Sequence, residues 1–304
     1  MDNEIIKKYI KAGEINYKAQ KFASTIVKPG ANLFEIGDKI NRFILEHGAN
    51  PAWPVNLSIN HEAAHNTYNP EKQYILKEED VLKVDIGVSV EGYLSDSSRT
   101  FIFSKKHEKL KESSDMALAN TKKFLVENTK TATISDVGRI IEDTIKSYGF
   151  KPIINLTGHV LDYYVVHSSP SIPNVKNGVK IKFSEINSAF AIEPFSSTGD
   201  GYVVEGEEVV IFEYIEDRPI RNKDSKLLLD EIKKYNGLPF SEFWIGGGMT
   251  NFTRKFALRE LLKAGAVGTY PVLVDKKGSF VSQAETSFLI TKDGLIDLVK
   301  VDEL

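Results

Sequence analysis

Two stretches of this chain carry the same pattern 101 residues apart. Leu33-Phe34-Glu35-Ile36-Gly37, followed by Ile40, Ile44 and Gly48, is matched by Ile134-Ser135-Asp136-Val137-Gly138, followed by Ile141, Ile145 and Gly149. Apolar residues at spacings of three and four make each stretch an amphipathic helix, and the last glycine of each falls where a left-handed C-cap is expected. A proline-containing stretch follows each glycine and leads to an Asn-Leu pair, Asn56-Leu57 in the first copy and Asn155-Leu156 in the second. Amphipathic helices share apolar spacing cheaply, so coincidence is one reading. The registered glycines and similar sequels make a duplicated half the other.

Around these copies the text divides readily. Residues 3–27 carry Ile6, Tyr9, Ile10, Phe22, Ala23 and Ile26 near a helical stripe, and Pro29-Gly30 stops it. Residues 81–90 and 94–103 flank Glu91-Gly92 and read as a β-hairpin. A helix near 106–127 leads into the second copy, and strands are expected at 189–194, 208–214, 280–284 and 286–291. Between 215 and 270, Leu227, Leu228, Leu229 and Ile232, then Phe256, Leu258, Leu261 and Leu262, predict helices around Gly246-Gly247-Gly248, a helical subdomain inserted between strands of the main domain.

Composition narrows the function. The 39 basic and 42 acidic residues leave a net charge of −3, without the surplus that drives binding to nucleic acid or anionic membranes. No run approaches the roughly 18 apolar residues of a membrane span, and the first residues, MDNEIIKKYI, lack a signal-peptide core, so a cytoplasmic protein is expected. With no cysteine, any metal site must use histidine and carboxylates.

Of six histidines, His47 and His107 lie in charged helical text and are expected to be solvated, whereas His61, His65, His159 and His167 fall in loop-like segments. His61-Glu62-Ala63-Ala64-His65 is a literal HExxH, the zinc-protease string in which a helix puts both imidazoles on one face and the glutamate serves as base. Pro51 and Pro54 upstream, the strand-like alternation of Val55, Leu57 and Ile59, and Asn69-Pro70 downstream leave too little room for that helix. The hairpin is more informative. A two-residue turn at Glu91-Gly92 pairs Val90 with Tyr93 and sets Asp85 opposite Ser98, so Asp96 and Asp85 project from one face as diagonal neighbours about 7–8 Å apart at Cα. Glu193 and Glu285 are further lone acids in apolar, strand-like runs. With His159 they make five hard ligands, four negative charges that would balance two divalent ions of the kind that ionise a shared water in two-metal hydrolases. A wet, purely structural acidic face is the alternative.

The strings Ala63-Ala64-His65-Asn66, Lys83-Val84-Asp85-Ile86-Gly87, Asp96, Asn155-Leu156-Thr157-Gly158-His159, Tyr164-Val165-Val166-His167, Glu193-Pro194-Phe195-Ser196-Ser197-Thr198-Gly199 and Gln283-Ala284-Glu285 resemble, in this order, the pita-bread metallopeptidases, and in particular the type II methionine aminopeptidases in a compact, archaeal-like form. The resemblance implies an α/β (α+β) pita-bread fold with a pseudo-twofold repeat and a curved antiparallel sheet. The catalytic domain would be 1–214 with 271–304, and 215–270 the type II helical insertion. It implies that Asp85 ligates one ion, that Asp96 and Glu285 bridge both, and that His159 and Glu193 hold the other. The metal would be Co, Mn, Fe or Zn. Glu193 is the implied proton carrier, and His65 and His167 the substrate contacts. Trp53, Pro54, Val166 and Phe195 would line a methionine pocket, Trp53 departing from the smaller aromatic expected there. His61 has no counterpart. The implied activity is hydrolytic removal of the initiator methionine from nascent polypeptides with a small second residue, by a monomer for which ribosome association is a further expectation. A proline-directed aminopeptidase or dipeptidase of the same fold, and a non-enzymatic binding protein that keeps it, are the rival readings.

Overall fold

A computed structural model describes residues 1–304. Six α-helices appear: α1 Asn3–Ile26, α2 Leu33–Glu46, α3 Glu108–Asn128, α4 Ile134–Ser147, α5 Lys223–Ile232 and α6 Asn251–Ala264. The first four pack on a nine-stranded antiparallel sheet, and α5 and α6 pack on each other away from it. Its main path runs Asn50–Pro51, Val81–Val90, Tyr93–Ile102, Glu285–Thr291, Ala189–Ile192, Thr157–Asp162, Val165–Pro173.

The repeated helices cover the sheet in parallel ways. Leu33, Ile36, Ile40 and Ile44 of α2 are buried with α1 against Leu82, Val84, Ile86 and Val88. Ile134, Val137, Ile141 and Ile145 of α4 are buried with α3 against Val160, Ile172, Phe190 and Phe288. The glycines match in role as well. Gly48 and Gly149 take φ of 76° and 84°, the left-handed conformation that ends each helix. Gly37 and Gly138 sit where a helix closes on its neighbour: a Cβ on Gly37 would lie 3.3 Å from the Leu57 side chain, and one on Gly138 only 2.3 Å from the Val175 carbonyl oxygen. The two halves of the pita-bread fold are thus built from the same local devices.

The hairpin forms in the expected register, Val90 opposite Tyr93 and Asp85 opposite Ser98, because Glu91 (φ 50°) and Gly92 (φ 87°) make a tight turn with both central residues left-handed. Behind it, α1 contributes two buried amides. Asn16 Nδ2 donates to the Ile86 carbonyl at 2.7 Å, Gln20 Nε2 donates to the Ser97 carbonyl at 3.0 Å, and the Ser97 hydroxyl donates to Asn16 Oδ1 at 2.6 Å. Strand alternation then turns Asp85 and Asp96 to the opposite face.

Four expectations need correction. The run expected at 189–194 is broken: Ala189–Ile192 stays in the main sheet, and after Glu193-Pro194 the chain enters a second sheet as Phe195–Ser197. Val281–Gln283 pairs with Phe195–Ser197, and Glu285–Thr291 with Ala189–Ile192, so both strands change sheet at one corner. The segment 215–270 is not wholly helical. Phe240–Ser241 and Val267–Val274 both pair with Val204–Tyr214, and Glu62–Ala64 adds to the far edge of this outer sheet. His107 is not solvated: a short 3-10 turn, Lys105–His107, folds its ring onto Phe280 with centroids 4.3 Å apart. His159 and His167 lie on the strands Thr157–Asp162 and Val165–Pro173 rather than on loops.

Gly138→Ala is expected to lower stability by about 1–3 kcal/mol, since the carbonyl it meets is fixed backbone. Gly37→Ala meets only the end of a leucine side chain, and better helix propensity offsets that contact to within about 1 kcal/mol. Urea unfolding of the two variants measures the difference.

Candidate metal centre and substrate cleft

The sheet register aligns the acids. Asp85 lies opposite Ser98, and Ser98 opposite Glu285. Thr286 pairs with Ile192 on one side of the corner and Gln283 with Phe195 on the other, which sets Glu193 across from Glu285. Asp85, Glu285 and Glu193 therefore form a row across neighbouring strands, with Asp96 two residues from the row on the strand that bears Ser98. His159 comes in from the next strand, its Nε2 3.5 Å from Asp96 Oδ2 and 3.9 Å from Glu193 Oε1. Ligand atoms of Asp96, His159 and Glu285 all lie within 4.8 Å of one another, and all three residues are buried. Gln283 Nε2 donates to both Glu193 Oε2 and Glu285 Oε2 at 3.2 Å.

Burial drives the electrostatics. It raises the Asp85 carboxyl to about 7 against the pull of the Trp53 indole, whose Nε1 donates to Asp85 Oδ1 at 3.3 Å. Asp96, Glu193 and Glu285 are pushed well above the ordinary carboxylate range, first by burial and then by the neighbouring acids. No lysine or arginine lines the cavity that these groups share. Asp96 Oδ1 and Glu285 Oε1 are buried without a hydrogen-bond partner. Four carboxylates so enclosed need cations to stay ionised together, and hard oxygen donors with one imidazole suit divalent metal. The residues fit such ions.

The cavity, of about 200 Å³, places His65 and His167 across from the acids. Their ring centroids are 6.4 Å apart, and Tyr270 packs edge-on to His65 at 5.3 Å. Burial, then the charge of His167, lowers His65 to about 4, and burial lowers His167, so both are neutral near pH 7. Trp53, Val166 and Phe195 lie on the cavity wall with Ile211, Pro239 and Leu273. The large ring of Trp53 is accommodated by Gly87, where a Cβ would lie 2.5 Å from it. Pro54 is off the wall: it is buried behind it, its carbonyl accepting from Asn56 Nδ2 at 3.1 Å. His61 is also off the wall, and His61 to His65 spans a turn and a short strand, not a helix, so the zinc-protease reading has no geometric basis. Sequence reasoning missed Tyr270. The expected helical segment ends at 270 and so takes in the first half of the Tyr270 strand, Val267–Val274, although Val267, Thr269, Tyr270, Val272 and Val274 are strand formers.

Comparison with known proteins agrees with this geometry. Residues 7–215 match Metallopeptidase family M24. The methionine aminopeptidase of Thermococcus onnurineus is 41% identical over 286 residues, 94% of this chain and 96% of its own. That of Pyrococcus abyssi is 39% identical over 295 residues, covering 96% and 98%. Among solved structures, a thermophilic Arx1 superposes with a TM-score of 0.81 at 18% identity, covering 98% of this chain and 91% of that one, and the methionine aminopeptidase of Thermotoga maritima with 0.68 at 21%, covering 99% and 98%. Curved antiparallel sheet, covering helices and buried acid row define a metal-dependent hydrolase with the pita-bread fold. The chain belongs to metallopeptidase family M24.

The raised carboxyls set a pH dependence for the metal-free protein. A group whose folded pKa lies above its unfolded value holds its proton more tightly when folded, so its stabilisation is present in acid and lost as pH rises through the folded pKa. For Asp85 that window runs from about 4 to about 7. The melting temperature of chelated protein should fall across it, and saturating divalent metal should raise the neutral end more than the acid end. A metal-free profile that is flat between pH 5 and 8 would contradict the buried acid row.

Proposed function

We propose that this protein removes the N-terminal methionine from polypeptides whose second residue is small. The observation that carries the reading is that the acid row shares a cavity of about 200 Å³ with an apolar set, Trp53, Val166, Phe195, Ile211 and Leu273. The names of its relatives, at about 40% identity over nearly the whole chain, support the same conclusion.

Asp85, Asp96, His159, Glu193 and Glu285 would hold two divalent ions, with Co, Mn, Fe and Zn all suited to the donor set. Bound there, such ions would supply water acidification and Lewis-acid activation of the scissile carbonyl. Glu193, oriented by the amide of Gln283, would take at its carboxylate the proton that the attacking water gives up and pass it to the leaving amine. His65 and His167, being neutral, can each donate an imidazole N–H. His65 lines the cavity, and its ring would steady the substrate amide or the developing oxyanion. Val166 and Phe195 receive the thioether side chain beside Trp53, and crowding near the ions restricts the second residue.

The remaining expectations belong to this reading. Residues 215–270 serve as the type II insertion on a catalytic domain of 1–214 and 271–304, and Pro239 brings the insertion to the cleft wall. The enzyme acts as a monomer in the cytoplasm on nascent chains, with ribosome association bringing it to them. No helix is long and apolar enough to cross a membrane.

Release of methionine from Met-Ala-Ser should vanish on chelation and return when one of the four metals is restored, and should exceed cleavage of an Xaa-Pro peptide. A preference for Xaa-Pro would replace the substrate assignment. Glu193→Gln and Asp96→Asn should each lower kcat by at least about 10³-fold, while His61→Ala, off the cleft wall, should keep most of it.

A further inference from the structure

The motif left without a role is Glu62 of the HExxH string. We propose that Glu62 is a positioning residue for His65: its carboxylate fastens the chain on both sides of His65 and so aims the imidazole into the cleft. The inference rests on His65 contacting substrate, as proposed above.

Glu62 does not line the cavity, and one of its oxygens is already engaged twice. Oε2 accepts from the Ile59 backbone N–H at 2.9 Å and from Asn66 Nδ2 at 2.8 Å. A single atom therefore ties a residue three positions before Glu62 to one four positions after it. Asn66 is fully buried, and its carbonyl accepts from the Leu57 N–H at 2.7 Å. Both flanks of His65 are thus bound back to the strand Asn56–Ile59. The turn between is held as firmly. Asn60, at φ 52°, gives its carbonyl to the buried ammonium of Lys83 at 3.0 Å and to the Val281 N–H at 2.9 Å.

What needs such fastening is the backbone of His65 itself. It adopts φ 63°, the left-handed region that a residue with a Cβ avoids unless its surroundings over-determine it. A return to negative φ would swing the Cα–Cβ bond, and the ring would leave its place 5.3 Å from Tyr270 and 6.4 Å from His167. The Glu62 carboxylate, Asn66 and the turn at Asn60 supply that over-determination. Lys72 extends it, its Nζ donating to Asn66 Oδ1 at 3.3 Å and pairing with Glu208 of the outer sheet. The glutamate that a zinc-protease reading would make a base acts instead as an anchor.

The test is a cycle of Glu62→Ala, Glu62→Gln, His65→Ala and Glu62→Ala/His65→Ala, assayed on Met-Ala-Ser with metal restored, with bound metal and melting temperature recorded for each. His65→Ala should lose about 10²-fold or more in kcat, as loss of a transition-state donor does. Glu62→Ala should lose about 10- to 100-fold in kcat with KM little changed, because a misplaced group fails chiefly in the transition state. Glu62→Gln should recover to within about 3-fold, since an amide oxygen can accept both hydrogen bonds. The double variant should be no worse than His65→Ala alone, and bound metal should be unchanged throughout. Should Glu62→Ala fail to fold, Asn66→Asp, which sets a carboxylate against Glu62, carries the same expectation. Full activity of Glu62→Ala beside an impaired His65→Ala overturns the inference and leaves the functional reading intact. Losses that multiply in the double variant, or a Glu62→Gln as impaired as the alanine, overturn it too. Full activity of His65→Ala overturns the role of His65 on which the inference rests.

Discussion

The burial of four carboxylates in one cavity is the constraint around which this molecule is organised. Asp85, Asp96, Glu193 and Glu285 share a cavity with no basic side chain on its wall; burial pushes each toward its protonated form, and for Asp96, Glu193 and Glu285 the neighbouring acids add to the effect. Such a cluster is costly in an apolar interior, and the cost is tolerated where cations offset it. The same strain that destabilises the metal-free protein is the source of affinity for metal. An acid row that was comfortable alone would hold ions weakly.

The framework carries that load from behind. Asn16 and Gln20 of α1 grip the backbone at Ile86 and Ser97, the immediate neighbours of Asp85 and Asp96 on the opposite face. The placement of the two acids is therefore fixed by hydrogen bonds on the far side of the sheet, away from the cavity. On the cavity side Gln283 spans Glu193 and Glu285, and the Trp53 indole donates to Asp85. Glu62, which accepts from the Ile59 N–H and from Asn66 Nδ2, ties down the chain around His65 in the same manner.

Much of this was legible in the sequence because it follows from short-range rules. The two-residue turn at Glu91-Gly92 fixed the hairpin register, and with it the shared face of Asp85 and Asp96. The offset of 101 marked the helices that cover the two halves, down to the glycines at 37 and 138. The corner where the chain leaves one sheet for another at Pro194 and Ala284 was not legible, since strand propensity says nothing about which sheet a strand joins. Tyr270 was missed because its strand borders helical text. His107 was misread because charge in its neighbours says little about where a ring folds back. Glu62 looked catalytic by spacing, and only its two hydrogen bonds show how it is held.

The order in which the ligands occur along the chain sets a limit on when the site can exist. Asp85 and Asp96 belong to a hairpin that closes locally, but Glu285 arrives on a strand nearly two hundred residues later and lies between them and Glu193. A polypeptide emerging from synthesis passes through a long interval in which half of the charged row is present and the rest has yet to be made. Competence thus comes at one late moment, with the insertion of a strand into the middle of the sheet, and turnover reports that the whole chain has closed.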